Sequence, residues 1–363
     1  MYGPDAMRAS REGYNEAVQV SDQRELLLNL VRLRYEEAPE FLAISGISTQ
    51  MNFNAAASLG GEIGEAGNAD IGNLSAGAAV GYSESPTITF VPRRDQEFTR
   101  QLVAPVELDS IYLLSRYGWE IDRLLLMIVS ELNGLPNGSG RETPSDDSKA
   151  FRRVASKLRQ LEIENRLEVQ VQRRLEVLSE PIPAGGISTS QVLEAARDGY
   201  RLQRAEQGGY VITGERNHYV LAVERGAMED LKLDALALQA DKSVFELDMA
   251  GMPDAVDLRL KTRSVLGSMA WMANAVTVPS AHADVVPTVA PGAVPGSMMD
   301  IRVADRPVEG AFLSVEHRGH WFYIDDRDLD SKRTLGLLTS LLRLSISAGG
   351  AQTVPVLTLP LGR

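Results

Sequence analysis

Cysteine is absent from this chain of 363 residues. Disulfide bonds, thiolate nucleophiles and zinc sites with cysteine ligands are therefore excluded. A long chain without cysteine fits an oxidising compartment of the cell envelope, because a stray thiol there can form a wrong disulfide. We therefore expect a location in the cell envelope.

Long hydrophobic runs are also absent. The longest, LLLMIV at 124–129, is far shorter than the roughly 20 residues that a membrane-spanning helix needs, so it predicts a buried helix segment. The first residues, MYGPDAMRAS, lack the apolar stretch of a signal peptide. We expect them to be a mature start from which an export signal has been removed.

Positive charge is scarce. The chain has 37 Lys and Arg against 49 Asp and Glu, which gives a formal net charge of −12. Sequence-independent binding to nucleic acid or to anionic lipid needs clustered cations. We therefore expect no nucleic-acid partner.

Catalytic motifs are missing as well. The sequence has no Gly-x-Ser-x-Gly, no His-Glu-x-x-His, no phosphate-binding loop and no dinucleotide fingerprint. We expect no catalytic residues, no cofactor and no enzymatic activity.

Two groups of residues resemble metal ligands. His317 and His320 flank a turn, but no third ligand is suggested, and solvent-facing side chains are the expectation. Asp326, Asp328 and Asp330 have the 1, 3, 5 spacing of a calcium loop. That loop needs Gly at its sixth position and Glu at its twelfth, where this chain has Ser and Leu. We therefore expect no metal site, and we interpret the aspartates as structural residues that cap a helix.

Apolar spacing predicts several helices. One begins with Asp22 as N-cap and ends near Ala38, and 106–135 predicts two helices that meet at Gly118, the second ending near Gly134. A helix after the polar loop 136–149 places five apolar residues on one face: Phe151, Val154, Ala155, Leu158 and Leu161. Segment 256–276 predicts a helix whose Met and Trp residues pack in the core.

Short hairpins and one long hairpin complete the predicted fold. Segments 208–223 and 311–324 each predict two short strands around a tight turn, and 353–359 predicts a final strand. The predicted fold class is α+β: a helix-rich body with short antiparallel hairpins and one long amphipathic β-hairpin. The predicted parts are an N-terminal helical segment 1–40, the long hairpin 41–92, a body 93–276, a Pro-rich linker 277–300 and a C-terminal hairpin, helix and strand 301–363.

The long hairpin is the most informative feature. Its two strands alternate apolar and polar residues over more than ten positions each, whereas strands of globular proteins usually have about five or six. We expect the polar phase to face a lumen: Ser48, Gln50, Asn52, Asn54, Ser58, Ser75 and Ser83. We expect the apolar phase to face lipid or a partner: Ile47, Met51, Phe53, Ala55, Ala57, Leu59, Leu74, Ala76, Ala78, Val80 and Tyr82.

Two interpretations of this hairpin remain open. No Lys or Arg occurs between Arg34 and Arg93, which suits a membrane-inserted segment, and bilayer-crossing strands need about 9–11 residues. A single hairpin would leave backbone groups unpaired in hydrocarbon, so several copies must close a barrel. The alternative is a hairpin that lies on a neighbouring subunit outside the membrane, which the weak apolarity of its alanines favours.

Three further stretches carry a family resemblance. LLLNLVRLRYEEAPEFL (26–42), SPTITFVPRRDQEFTRQLVAPV (85–106) and HWFYIDDRDLDSKRTLGLLTSLL (320–342) resemble blocks of an uncharacterised family of bacterial envelope lipoproteins. The resemblance implies an outer-membrane or periplasmic location and a lipid anchor on a Cys that precedes this N-terminus. It implies no activity and no catalytic residues.

We therefore expect an oligomeric outer-membrane protein that forms a ring or β-barrel conduit, with one hairpin from each subunit, for transport or secretion. The alternative is a non-enzymatic periplasmic scaffold that oligomerises or docks on a larger envelope complex. The expected partners are further copies of the chain, the outer membrane and other envelope proteins. An envelope hydrolase is disfavoured, because no nucleophile or metal constellation is present.

Overall fold

Helices and largely antiparallel strands follow one another along the chain, which confirms the predicted α+β class. The computed structural model describes residues 4–60, 75–183, 188–205, 208–227, 236, 238, 242–249 and 257–347, and for 4–11, 44–60, 75–88, 189 and 191 it describes the backbone. The predicted strand 353–359 and Leu74 lie outside the described residues.

The helices are α1 (Pro4–Arg34), α2 (Gln96–Val103), α3 (Leu108–Arg116), α4 (Ile121–Ile128), α5 (Asp146–Ile163), α6 (Thr189–Arg197), α7 (Val265–Met272) and α8 (Leu329–Ser347), with 3₁₀ turns at Ala273–Ala275 and Ser280–His282. Across the described ranges, no helix combines the length and the apolarity needed to cross a membrane.

The strands form three sheets. The hairpin sheet contains β1 (Leu42–Gly60) and β2 (Ser75–Pro92). The large sheet has the order β4-β3-β9-β8-β7-β5, with β6 also paired to β7: β3 (Val129–Leu132), β4 (Leu135–Pro136), β5 (Leu167–Val177), β6 (Arg201–Arg204), β7 (Tyr210–Val223), β8 (Val244–Met249) and β9 (Leu258–Thr262). The third sheet has the order β10-β12-β11: β10 (Arg302–Ala304), β11 (Ala311–His317) and β12 (His320–Asp325). Only β8 and β9 run parallel among these described pairs.

The chain divides into two compact units. The larger contains α1, up to Pro39, and the chain from Gln96 to the end of α8, while the smaller contains the β1–β2 hairpin within Glu40–Asp95. The predicted Pro-rich linker 277–300 lies inside the larger unit and separates no domains. Its backbone is held by side chains of other elements: Arg34 donates to the carbonyl of Pro287 at 2.7 Å, and Arg152 donates to those of Gly292 and Ala293.

Helix α1 is longer than its sequence predicted. It begins at Pro4 and continues through Asp22, so the prediction of Asp22 as N-cap is wrong. The buried stripe begins only at Leu26, and most of the described side chains before it are exposed or half-buried. Apolar periodicity therefore could not reveal the first turns of this helix.

Helix α4 ends earlier than predicted, because the chain passes directly from Ile128 into β3. Asn133 (φ 48°) and Gly134 (φ 82°) form the two-residue turn between β3 and β4. Asn-Gly is the preferred pair for such a turn, since both positions need positive φ. Gly134 thus belongs to a hairpin and not to a helix end, and the run 124–129 is buried as predicted.

Segment 208–223 is not a hairpin. It contains the single strand β7, which pairs with β5 from Thr213 to Val223. Gly214, which suggested a turn, serves a close approach, because a Cβ there would lie 2.7 Å from a Leu178 methyl and 3.1 Å from the Tyr200 ring. Hairpin 311–324 is confirmed, with its turn at Arg318 and Gly319.

The predicted helix 256–276 is instead strand β9 followed by α7, which begins after Ser264. The Ser264 hydroxyl accepts a hydrogen bond from the amide of Gly267 at 2.9 Å, so it caps the helix. Met269, Trp271 and Met272 are buried, as the core interpretation predicted.

Arg263, between β9 and α7, joins the two elements to the end of α4. Its guanidinium donates to four backbone carbonyls, those of Leu126, Met127, Val129 and Gly138, at 2.9–3.3 Å. It also lies over the Trp271 ring at 5.0 Å. Burial lowers the pKa of Arg263 to about 10, so the side chain stays charged at neutral pH, beside the negative end of the α4 dipole.

Replacing Arg263 by Met should lower the free energy of unfolding by about 3 kcal/mol, because the carbonyls of buried residues lose a charged donor. Urea denaturation measures the change. Arg259→Met, on the preceding strand β9, is the matched control, since Arg259 is exposed, and its effect should stay within about 0.5 kcal/mol. Equal effects of the two substitutions would contradict this role of Arg263.

Candidate functional site

The β1–β2 hairpin is the candidate functional site. Its strands have 19 and 18 residues, and in the described part of the chain they pair only with each other. At about 3.3 Å per residue, the longer strand extends about 60 Å. A two-stranded ribbon of this length has one unpaired backbone edge on each strand.

The register brings the two predicted phases together. Phe53 is opposite Tyr82, Ala55 opposite Val80 and Ala57 opposite Ala78, while Asn52 is opposite Ser83. Residues directly opposite each other in an antiparallel pair share a face of the sheet. The backbone pairing therefore matches apolar with apolar and polar with polar positions. Whether these faces meet a lumen and lipid stays a prediction.

Two pairs interrupt the apolar phase. Glu84 is opposite Met51, and Pro86 is opposite Thr49. They divide the hairpin into a tip half, 52–60 with 75–83, and a base half, 42–51 with 84–92. The tip half has nine consecutive pairs, which is the length of a bilayer-crossing strand. Its sequence contains no charged residue.

The base of the hairpin is closed by polar contacts. The amide of Arg93 donates to the carbonyl of Phe41 at 2.9 Å, and Arg94 pairs with Glu40 at 3.0 Å. A register shift between Ile44 and Gly46 marks a bulge near this end. Bulges increase the local twist of a ribbon, so the base differs in twist from the regular tip.

The three aspartates predicted as structural have three different roles. Asp328 precedes α8 and accepts a hydrogen bond from the amide of Ser331 at 3.0 Å, which confirms it as a cap. Asp326 pairs with Lys332 at 2.6 Å. Asp330 pairs with Arg123 at 2.9 Å, so it does not cap the helix but joins α8 to α4.

Arg123 is buried and has several acceptors. Besides Asp330, its guanidinium donates to Glu120 at 3.1 Å and to the Thr334 hydroxyl at 2.6 Å. Partial burial acts to raise the pKa of Glu120, but the hydrogen bond and charge of Arg123 outweigh burial and lower it. The carboxylates around Arg123 therefore serve packing between helices.

The structure also brings together a cluster that the sequence did not predict. Tyr35, at the end of α1, is 4% exposed, and its hydroxyl lies 2.8 Å from Nδ1 of His282. Its ring is 5.3 Å from that of His317, and the rings of His282 and His320 are 5.0 Å apart. We call Tyr35, His282, His317 and His320 the histidine cluster.

The prediction of solvent-facing histidines at this turn is wrong. The side chains of His317 and His320 are 15% and 21% exposed, because the end of α1 covers the turn between β11 and β12. His317 Nε2 lies 3.2 Å from a Glu37 carboxylate oxygen, and His320 Nδ1 lies 3.2 Å from Asp305. No sequence spacing indicated this, since Tyr35 and His282 are 247 positions apart.

The fourth histidine, His218, lies on the large sheet. Its Nδ1 is 2.6 Å from Glu246, and its Nε2 is 2.7 Å from Glu176. The hydrogen bond from His218 lowers the pKa of Glu246. Within the described ranges, no three or more His, Cys, Asp or Glu side chains form a group that could hold a metal ion.

Replacing Asp328 by Ala should lower the free energy of unfolding by about 1 kcal/mol, because the first turn of α8 loses its cap. Asp328→Asn is the matched control, since Asn caps a helix equally well, and it should cost little. Thermal denaturation with and without calcium completes the test. A calcium-dependent rise in melting temperature that Asp328→Ala abolishes would contradict the structural role.

Comparison with models of known protein families, with curated proteins and with solved structures gives no match to this chain. The resemblance to envelope lipoproteins therefore stays a prediction, and so does the envelope location that it implies. The functional argument depends on the geometry of the hairpin alone.

Proposed function

We propose that the protein forms a ring in the outer membrane, in which each subunit contributes its β1–β2 hairpin to a shared β-barrel conduit for transport or secretion. The observation that carries this proposal is the long two-stranded ribbon with matched phases. Each hairpin supplies two strands, so about four copies are the minimum for a small barrel, and an open channel needs more.

The tip half of the hairpin is the part that enters the bilayer in this proposal. Its nine pairs fit the hydrocarbon layer, and neither strand of the tip contains a charged residue. Glu84 and Pro86 then lie outside the hydrocarbon, in a base half that extends the barrel into water. Pro86 has no backbone N–H for the hydrogen-bond ladder. Water can satisfy a backbone group that this leaves without a partner, whereas hydrocarbon cannot, so Pro86 is better tolerated in the base half.

A periplasmic scaffold is the second candidate. The apolar phase of the tip is rich in alanine, with Ala55, Ala57, Ala76 and Ala78, and these bury little apolar surface against lipid. Small residues also suit close packing of the ribbon on a neighbouring subunit. In both candidates the protein is a non-enzymatic protein of the envelope, lipid-anchored in its native form. The scaffold oligomerises or docks on a larger envelope complex, so other envelope proteins are possible partners.

Oligomerisation is the first test. Light scattering in mild detergent should detect particles of at least about four copies of the 39.6 kDa chain. The physical reason is that the free edges of one hairpin need strands from further copies. A single particle near the mass of one chain would contradict the conduit and leave only a scaffold that docks on a larger complex.

Arginine substitutions on the two opposite faces of the hairpin separate the two candidates. Ala57→Arg places a cation on the proposed lipid face, at a cost of about 2–4 kcal/mol for each strand near the bilayer midplane, and should abolish insertion and conductance. Ser58→Arg, one residue away, places the same charge in the lumen and should assemble normally while favouring anions. Liposome conductance and circular dichroism of the helical unit measure these results.

The opposite outcome is equally specific. If particles form with Arg at either position and neither variant conducts, the hairpin is not in a bilayer, and the scaffold takes the place of the conduit. Ala78→Arg and Ser75→Arg repeat the comparison on the second strand, because Ala78 is opposite Ala57 in the register.

A further inference from the structure

The end of α1 is attached to the β11–β12 hairpin through the histidine cluster. Tyr35 packs edge-on against Phe322 at 6.1 Å and against His317 at 5.3 Å. Arg318 donates twice to one Glu37 oxygen, at 3.0 and 2.6 Å, and lies over the Tyr35 ring at 4.9 Å. Residues 35–37 therefore contact β11, β12 and the turn between these two strands.

Two residues at this contact have strained backbones. Glu36 (φ 58°) ends α1, and Arg318 (φ 50°) begins the turn between β11 and β12. Left-handed φ is uncommon outside Gly, Asn and Asp, and strain of this kind persists only when surrounding contacts hold it in place. Here the side chain of Arg318 makes the contacts with Glu37 and Tyr35, so loss of those contacts would leave the strain uncompensated.

The imidazoles are surrounded by charges of both signs. From α1 and its end, Arg32, Arg34 and Glu37 face the cluster; from the turn, Arg318; and from the loop after β10, Asp305. Glu37 is shared between His317 and Arg318, and Asp305 is 92% exposed, so solvent screens its charge. Little negative charge therefore remains in the cluster to form an ion pair with a protonated imidazole.

We propose that the histidine cluster is an acid-sensitive latch that holds residues 35–37 against β11–β12 at neutral pH and releases them when His317 gains a proton. Histidine changes its charge near this pH range, and a proton on His317 adds a cation to a contact that already includes the charges of Arg32 and Arg318.

The direction of the pH effect follows from His317. Burial lowers its pKa, although the charge of Glu37 opposes this. A released, solvated histidine has a pKa of about 6.5, so the released state takes up the proton first as pH falls. The stability of the latch is therefore complete above about pH 6.5 and decreases as pH falls toward the lower pKa of the latched state.

The latch depends on contacts within the larger unit and does not require the proposed conduit. Residues 36–39 nevertheless connect α1 to the strand β1 along the chain. Release at low pH would free this connecting segment. Because the segment is joined to β1 along the chain, assembly of the hairpin would then also change with pH.

Hydrogen exchange of the full chain at pH 7.5 and 5.5, corrected for the intrinsic pH dependence, tests the latch. The amides of Tyr35, Glu36 and Glu37 donate to α1 carbonyls, so their protection reports whether the end of α1 is held. At pH 5.5 a released histidine with a pKa of about 6.5 is about ten times more often protonated than neutral, so protection should fall by no more than about tenfold. Equal protection at the two pH values would overturn the proposal.

His317→Gln removes the titrating group and should make protection of these amides independent of pH. His218→Gln is the matched control, because His218 lies on the large sheet, and it should keep the full loss of protection seen in the unaltered chain. The loss persisting in His317→Gln would overturn the proposal. If that variant does not fold, NMR titration of His317 in the unaltered chain decides: a midpoint below 6.5 supports the latch, and one at or above 6.5 overturns it.

Discussion

Every strand in a stable sheet needs partners for its backbone N–H and C=O groups, and among the described residues the β1–β2 hairpin has partners on one side of each strand only. About half of its backbone groups therefore face outward over a length of about 60 Å. Water can satisfy them, and so can another strand, but hydrocarbon cannot. This constraint excludes a lone hairpin from the hydrocarbon of a membrane. It is the physical basis of the proposed ring of copies and of its alternative, a ribbon covered by a neighbour.

In the larger unit, arginine side chains supply hydrogen-bond donors for backbone carbonyls. Arg34 and Arg152 donate to backbone carbonyls of the Pro-rich segment 277–300, and Arg263 donates to carbonyls at the end of α4 and the start of β3. A guanidinium has five N–H donors in a fixed plane, so one side chain can satisfy several carbonyls at once. The Pro-rich segment 277–300 needs such donors, because proline removes N–H groups from the backbone and leaves its carbonyls without a ladder.

Periodicity predicted the elements whose buried face is regular. The apolar stripe of α5 is buried at each of its five predicted positions, and the turn of the 311–324 hairpin lies where its Gly indicated. The predictions of turns and helix ends were wrong where glycine has more than one structural role. Gly214 allows a close approach in a strand and does not mark a turn, and Gly134 ends a hairpin turn and does not end a helix. The candidate hairpin was predictable with its phases, because a two-residue period assigns every residue of a strand to a face.

The amino-acid sequence by itself determined the interactions that act over two to four residues: the alternation of β1 and β2, the cap of α8 by Asp328, and the buried face of α5. Backbone geometry repeats over those distances, so the spacing of residues encodes them. Only the tertiary structure decided that Tyr35 meets His282 and His317 and that Arg263 reaches the end of α4. Those contacts join segments more than a hundred positions apart, and the packing of whole elements, which no local period describes, sets their distances.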